Sequence, residues 1–210
     1  MTIWDQIYKN HQKGGDAWAT LSEGIDPRFL ELIDKTEFKL KIAFDIGCGT
    51  GKYLRYLQSK DFQVAGIDSS ETAVEMSKKC LGDSVNVVLA DMYYFKIPKN
   101  RYDLILSVST LHHGTKEQIQ DLIIQIWNNL STDGKIFITL PDIECNKKWN
   151  TFKDDKEVAP GTYSPLSGPE KGLPHSFFSE EEIKTLFKNF KDLKLEIDEI
   201  GRWFITAVKI

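Results

Sequence analysis

The sequence has few cysteines, no long apolar run and no secretion-signal pattern among its first residues, and each of these features makes one class of protein less expected. Only three cysteines occur among 210 residues. Their number is odd, and their positions lack the spacing of a metal-binding set. No segment reaches the roughly 18 consecutive apolar residues that a bilayer-spanning helix needs. The first residues do not show the charged segment and apolar run of a secretion signal. We therefore expect a cytoplasmic protein with reduced thiols, no bound metal and no membrane partner.

Charge of one sign is not in excess either. The chain has 27 Lys and Arg residues and 31 Asp and Glu residues, which gives a formal net charge of −4. Such a chain has no general electrostatic attraction to nucleic acid, and only a local basic patch remains open. Its length suits one α/β domain with a full core and is too short for two. We expect a single domain over residues 1–210 and no nucleic acid partner.

What the chain does have is an apolar strand that ends in three alternating glycines, Gly47, Gly49 and Gly51. Glycine adopts positive φ without strain and lets a ligand approach the backbone closely. The helix that follows points its free N–H groups at the same turn. A phosphate-binding P-loop would need Gly where Ile46 stands and Ser or Thr where Tyr53 stands. A nicotinamide-binding turn reads GxGxxG, whereas this one reads GxGxG, so the turn fits neither class.

The segment Asp45-Ile46-Gly47-Cys48-Gly49-Thr50-Gly51 resembles the first motif of class I S-adenosylmethionine (SAM) dependent methyltransferases. In that family the turn wraps the methionine part of the cofactor. A second predicted strand ends at Asp68, whose carboxylate can accept hydrogen bonds from both ribose hydroxyls. A third strand ends near Asp91 and Met92, where the family reads the adenine. The resemblance thus implies SAM as cofactor and a binding set of Asp45, Gly47, Cys48, Gly49, Gly51, Asp68, Ser69, Asp91, Met92, Ser107 and Tyr8.

Strands and helices alternate from residue 41 onward, which predicts parallel strands joined by right-handed crossovers. The predicted parallel strands are 41–46, 62–67, 85–89, 102–108 and 135–140, and an antiparallel hairpin follows at 193–199 and 202–210. The resemblance implies the α/β fold of the family, a Rossmann-like three-layer sandwich. Its seven-stranded, mostly parallel sheet has the order 3-2-1-4-5-7-6 with strand 7 antiparallel.

Two segments flank this predicted core. Residues 1–38 are expected to form helices, the first of which places Trp4 and Tyr8 on one face. That helix either packs on the domain or folds over the cofactor as a lid, as N-terminal segments do in many small-molecule members of the family. Residues 141–178 are expected to lack regular structure. Their aromatic residues, set among Pro and Gly, favour an ordered substrate cover over a solvated linker.

Three histidines are candidates for the substrate side of the site. His112 and His113 follow the fourth predicted strand, and His175 lies in the predicted cover. A neutral imidazole can take a proton from an OH, SH or NH nucleophile, so these residues are the predicted catalytic groups. The alternative is that each one only hydrogen-bonds its own loop. Methyl transfer depends mainly on a nucleophile placed in line with the sulfonium, so we expect positioning to matter more than proton transfer.

The segment after strand four also bears on the methyl acceptor. Ser107-Val108-Ser109-Thr110 is not the Asn/Asp-Pro-Pro-aromatic cluster with which methyltransferases of nucleic-acid base amines hold their target. The compact N-terminus, Leu111-His112-His113-Gly114 after strand four and the segment from His175 to Glu182 resemble the small-molecule and tellurite-resistance type branch of the family. This resemblance implies methyl transfer to a small-molecule acceptor with release of S-adenosylhomocysteine (SAH). Two alternatives stay open: a non-catalytic SAM-binding subunit of a partner enzyme, and a non-methyl transfer from a SAM-like donor.

Overall fold

The chain folds around one seven-stranded sheet. The computed structural model describes residues 2–14, 24–82, 85–99, 102–144 and 155–210. The helices are α1 (Ile3–Gln12), α2 (Pro27–Lys35), α3 (Lys52–Ser59), α4 (Glu71–Leu81), α5 (Lys116–Asn129) and α6 (Glu180–Leu186). The strands are β1 (Ile42–Ile46), β2 (Gln63–Asp68), β3 (Asn86–Leu89), β4 (Tyr102–Ser107), β5 (Leu130–Pro141), β6 (Lys156–Ala159), β7 (Thr162–Ser164), β8 (His175–Ser176), β9 (Phe190–Ile197) and β10 (Arg202–Lys209). Within the described residues, no helix combines the length and the apolar character needed to cross a membrane.

The strand order of the main sheet is β3-β2-β1-β4-β5-β10-β9. β1 pairs in parallel with β2 and β4, and the pairs β2–β3 and β4–β5 are parallel too. β10 runs antiparallel between β5 and β9. Because β9 and β10 are the sixth and seventh strands of this sheet, the predicted order 3-2-1-4-5-7-6 with a reversed last strand is confirmed.

Alternate side chains of the central strands enter different apolar clusters. Phe44 and Ile46 of β1 pack in one cluster with residues of α5 and α6. Ala43 of β1 and Leu104 of β4 pack in another cluster with residues of α2 and α3. Successive residues of a strand point to opposite faces of its sheet, so helices cover both faces. The predicted three-layer α/β sandwich is therefore confirmed.

Capping side chains set where several helices begin. The Asp26 side chain accepts a hydrogen bond from a backbone N–H in the first turn of α2, the helix that begins at Pro27. The Ser70 side chain does the same at the start of α4. Ser179 and Glu182 form a capping box at the start of α6. Side chains of this kind satisfy N–H groups that have no partner inside the helix, so helix starts of this kind can be read from the sequence.

The segment predicted to lack regular structure, 141–178, contains a small antiparallel sheet in which β7 pairs with β6 and β8. These strands have two to four residues, too few for the alternating pattern by which strands are recognised in a sequence. Ser176 fastens β8 to the loop after β4: its N–H donates to the His112 carbonyl over 2.8 Å, and its Oγ donates to the Gly114 carbonyl over 2.6 Å. The prediction was wrong for this part, while residues 145–154 of the predicted cover lie outside the described residues.

Candidate functional site

A cavity of about 510 Å³ opens at the carboxyl ends of the central strands. β1 lies between β2 and β4. The strands that follow β2 and β4 are added on opposite sides of β1. This is the switch point at which open α/β sheets bind ligands. The cavity is lined by the ends of the central strands, helix α1, residues 90–93 and parts of the segment 170–175. Its volume falls within the range of small-ligand sites.

The turn after β1 has a shape that only glycine allows. Gly47 and Gly49 have φ angles of 75° and 55°, in the left-handed region where a Cβ is unfavourable. A Cβ on Gly47 would lie 2.2 Å from Thr110 Cγ2, and a Cβ on Gly49 would lie 2.6 Å from Tyr8 Oη. The Gly47 N–H donates to the Ile67 carbonyl over 2.8 Å, which fixes the turn to the end of β2. The backbone of this turn therefore lines the cavity and is held in place.

Asp68 ends β2 and faces the same cavity. Its Oδ2 accepts the Gly49 N–H and its Oδ1 accepts the Ser70 N–H, each over 2.9 Å. Burial raises the pKa of Asp68, while these backbone hydrogen bonds oppose the rise. Each carboxylate oxygen accepts one backbone N–H and keeps a second lone pair for a ligand. A carboxylate held in this way suits a pair of neighbouring hydroxyl groups.

Asp45 is a second buried carboxyl group in the cavity lining. Burial raises the pKa of Asp45 to about 8, the negative charge of Asp68 adds to the rise, and Lys52 opposes it. A buried acid of this kind gains its charge when a cation comes next to it. The Asp45 end of the cavity therefore suits a positively charged group of a ligand.

Helix α1 closes part of the cavity and is anchored by Asp5. The Asp5 Oδ1 accepts hydrogen bonds from Thr72 N–H over 3.0 Å, Thr72 Oγ1 over 2.8 Å and Ser70 Oγ over 3.3 Å. Lys9 Nζ lies 2.8 Å from the other Asp5 oxygen, and this bond is the main reason that the pKa of Asp5 is lowered. Asp5 thus ties α1 to the start of α4 and keeps Tyr8 in the cavity lining.

The segment after β3 supplies Asp91 and Met92 to the cavity lining. Asp91 Oδ1 accepts the Tyr93 N–H over 2.8 Å, and Tyr93 Oη donates to the Leu111 carbonyl over 2.5 Å. A Cβ on Gly114 would lie 2.3 Å from the Tyr93 ring. Tyr93 therefore joins the predicted adenine segment to the loop after β4.

The loop after β4 brings His112 and His113 into the cavity lining. Ser109 adopts a φ of 55°, and its N–H donates to Thr139 Oγ1 over 2.7 Å. Burial lowers the pKa of His112 to about 3 and lowers the pKa of His113 well below its usual value. Both rings are therefore neutral and weakly basic at neutral pH. Their environment disfavours the general-base role, which stays a prediction.

His175 comes from the other side of this loop, on β8. Its ring centroid lies 4.7 Å from that of His113 and 5.7 Å from that of His112. Nδ1 of His175 lies 3.0 Å from the Leu173 carbonyl, and Nε2 lies 3.1 Å from Glu170 Oε2. Trp4 packs edge-on against His113 at 4.7 Å between ring centroids. The three predicted histidines are thus brought together in one wall of the cavity.

Most of the predicted site residues meet in this cavity. The lining includes Tyr8, Asp45, Gly47, Cys48, Gly49, Asp68, Ser69, Asp91, Met92, His112, His113 and His175. Gly51 and Ser107 are not part of it. Gly51 is the N-cap of α3 with a φ of 80°, and Ser107 Oγ donates to the Ile46 carbonyl over 2.8 Å, which joins β4 to β1. These two residues shape the fold beside the cavity.

Sequence reasoning missed the partners of the site residues. Asp5 lies in the first turn of a helix. The helix dipole already favours an acidic residue there, so its position indicated no further role. Glu170 and Thr110 line the cavity but stand in segments without a recognisable motif. Only the fold brings them to the site.

Comparison with known proteins agrees with this geometry. Residues 43–134 match the family described as a methyltransferase domain. The tRNA (carboxymethyluridine(34)-5-O)-methyltransferase of Saccharomyces cerevisiae is 29% identical over 50% of this chain and 37% of its own length. The mitochondrial arginine-hydroxylase NDUFAF5 of Rattus norvegicus is 28% identical over 95% of this chain and 59% of its own length. The chain thus spans less than two thirds of the length of either curated relative.

A solved structure carries the same fold. The N-methyltransferase NodS from Bradyrhizobium japonicum, determined in complex with SAH, is similar with a TM-score of 0.68. The similarity covers 99% of both chains at 13% sequence identity. The family match covers β1 to the start of β5, the strand order is that of the family, and the glycine turn and the acids after β2 and β3 line one cavity. Residues 43–134 are therefore similar to a methyltransferase domain, and the chain has the fold of a solved SAH-bound methyltransferase.

Proposed function

We propose that this protein transfers the methyl group of SAM to a small-molecule acceptor and releases SAH. The observation that carries the proposal is that a single cavity contains both the predicted cofactor residues and a wall of aromatic and histidine side chains. The glycine turn and Asp68 belong to the first set, and Trp4, His113 and His175 belong to the second. A bound acceptor would therefore share one enclosed space with the cofactor, as methyl transfer between them requires.

The residues of the chain divide the work of holding the cofactor. SAM supplies a methyl group that is already activated on a sulfonium. Asp68 offers two hydrogen-bond acceptors for the ribose hydroxyls, and Asp45 offers a negative charge for the cationic methionine part. Helix α1 covers the cavity through Tyr8 and Trp4, which limits the access of water. Binding and orientation, more than acid–base catalysis, are the tasks that this arrangement supports.

A small acceptor is favoured over a nucleic acid by the same enclosure. The cavity of about 510 Å³ is lined by α1 and by the segment around His175. Only a group that projects from a macromolecule would enter a cavity of this size. The net charge of −4 provides no general attraction to RNA. The yeast relative is named a tRNA methyltransferase, so an RNA acceptor is the first alternative to a small molecule. The rat relative, named an arginine-hydroxylase, favours a non-methyl reaction as the second.

Detection of SAH tests this proposal directly. The protein is incubated with SAM and a panel of small thiols, hydroxyl compounds and amines, with tRNA as a separate arm, and SAH is quantified. We expect SAH with at least one small molecule, and at least about tenfold less SAH with the Asp68→Ala variant when SAM is not saturating. SAH in the tRNA arm alone would contradict a small-molecule acceptor. Binding of SAM without SAH in any arm would favour the non-catalytic SAM-binding subunit.

The Gly47→Ala variant will bind SAH at least about tenfold more weakly than the wild type. The added methyl group overlaps the Thr110 side chain and the residue keeps its positive φ. Gly14→Ala is the matched control, since Gly14 has a φ of 80° but no atom within 4 Å of an added Cβ. Titration calorimetry of both variants checks the prediction. Equal SAH affinities would show that the turn tolerates a side chain.

SAH will slow amide hydrogen exchange in α1 by about tenfold or more, because α1 lines the cavity and a bound ligand adds contacts that opening must break. Helix α5 contributes nothing to the cavity lining, so its exchange serves as the internal control. Exchange is measured by mass spectrometry with and without SAH. Slower exchange at the glycine turn together with unchanged exchange in α1 would mean that α1 is a passive part of the fold.

A further inference from the structure

Three of the four histidines in the chain converge on one wall of the cavity. His112 and His113 come from the loop after β4, and His175 comes from β8. Their candidate ligand nitrogens all lie within 4.8 Å of one another. Zinc–nitrogen bonds of 2.0–2.1 Å place ligand nitrogens about 3.4 Å apart, so modest side-chain rotations close the site around one ion. We infer that His112, His113 and His175, with Glu170 beside them, form a binding site for a divalent transition-metal ion.

The first two rings carry buried nitrogen atoms that lack partners. Nδ1 of His112 and Nδ1 of His113 are buried without a hydrogen-bond partner among the described residues. Buried polar atoms of native proteins nearly always have partners, so such atoms call for an explanation. The neutral imidazole is the form of histidine that binds metals. A metal ion beside these rings would give their lone pairs a partner.

The third ring is oriented as a metal ligand usually is. A carbonyl oxygen only accepts hydrogen bonds, so the contact of 3.0 Å to Leu173 places a proton on Nδ1 of His175. A backbone carbonyl in this position is a common outer partner of a metal-bound histidine, and it fixes the tautomer whose Nε2 carries the lone pair. Nε2 lies 3.1 Å from Glu170 Oε2. A metal ion placed between these two atoms would be bound by both groups.

The surrounding rings complete the set of possible ligands. His175 is 3% exposed, and the centroid of His113 lies 4.7 Å from it. Three imidazoles and a carboxylate form a donor set for Zn²⁺ and similar divalent transition metals. The expectation of no bound metal rested on the cysteines, and the distance along the chain between His113 and His175 hid the histidine cluster. Only the pairing of β8 beside the loop after β4 brings these residues together.

The same wall faces the space where the acceptor would lie, and this step rests on the proposed function. A catalytic metal site combines protein ligands with a position open to water or substrate. A thiol or hydroxyl acceptor bound at that position would give its proton to water and stay on the metal as thiolate or alkoxide. The metal would thus supply the nucleophile for methyl transfer. The acceptor class assigned by this site is a small thiol or hydroxyl compound.

The site is tested by metal titration, which needs neither SAM nor an acceptor. Chelator-treated full-length protein is titrated with Zn²⁺ by calorimetry and with Co²⁺ by visible absorption. We expect one ion per chain and Co²⁺ bands typical of a four- or five-coordinate site. His175→Ala and His112→Ala should each weaken binding by at least about tenfold, and Glu170→Gln by less, since histidine is the stronger ligand for these metals.

His11→Ala is the matched control, because His11 is the one histidine outside the cluster, and it should bind the metals as the wild type does. SAH binding and thermal unfolding of every variant show that the fold is intact. Absence of saturable binding, or equal metal affinity in wild type and His175→Ala, would overturn the site. The activating role of the metal would be overturned if the protein binds Zn²⁺ in the titration but forms SAH equally fast after the chelator has removed the metal. Metal binding without any SAH formation keeps the site and contradicts only the proposed function.

Discussion

Lowering the pH from about 8 to about 6 will weaken SAH binding by roughly ten- to a hundredfold. The reason is the raised pKa of Asp45, which burial and the charge of Asp68 bring to about 8. A cationic group of the ligand favours the ionised carboxylate, so the pKa of Asp45 falls in the complex. Affinity is therefore highest above the pKa of the free protein and is lost as the pH falls below it, with one proton taken up when the ligand leaves.

Titration calorimetry across this pH range measures the effect, and buffers of different ionisation enthalpy report the proton released on binding. Asp45→Asn is the matched variant, since it keeps the shape of the side chain and carries no charge at any pH. Its affinity should be low and independent of pH. A flat profile in the wild type, or the same slope in the variant, would show that another group controls the pH dependence.

Replacing Asp68 by alanine will lower the affinity for SAH by roughly ten- to a hundredfold or more. The variant loses the acceptors for the ribose hydroxyls. It also loses the acceptor for the Gly49 N–H, over 2.9 Å, so the glycine turn is held less firmly. The two losses act in the same direction.

Asp103→Ala controls for the loss of a buried acid. Asp103 accepts the N–H groups of Leu40 and Lys41 over 2.5 and 2.8 Å, and it is not part of the cavity lining. This control should lower the free energy of unfolding by about 1–3 kcal/mol and leave the affinity for SAH unchanged. If Asp68→Ala binds SAH as the wild type does while its fold is intact, Asp68 does not hold the cofactor.

The fold could be predicted because its signals are local or periodic. The alternation of apolar strands with capped helices gave the parallel sheet, and the resemblance of the glycine turn to a known motif gave the strand order. The small sheet of β6, β7 and β8 could not be predicted, because strands of two to four residues are set by their partners more than by their own side chains. β8 owes its position to bonds from Ser176 to the loop after β4.

The candidate site was predictable where a residue stands at the end of a strand. Asp45, Asp68 and Asp91 follow three neighbouring strands, and the carboxyl ends of parallel strands meet at one edge. The prediction placed Ser107 among the cofactor residues, whereas its hydroxyl is used within the sheet. Contacts between distant segments, such as that of Asp5 with Thr72, have no local signal. The histidine cluster is of the same kind, since its members were each expected near the substrate but not in contact with one another.

A crystal structure of the protein with SAH shows where the cofactor binds. We expect electron density for SAH in the cavity at the ends of β1 and β2, with the ribose hydroxyls within hydrogen-bond distance of Asp68. We expect the methionine part beside Asp45 and the turn at Gly47 and Gly49, with α1 packed over the ligand. SAH bound outside this cavity, or bound within it with the ribose away from Asp68, would contradict the proposed cofactor site.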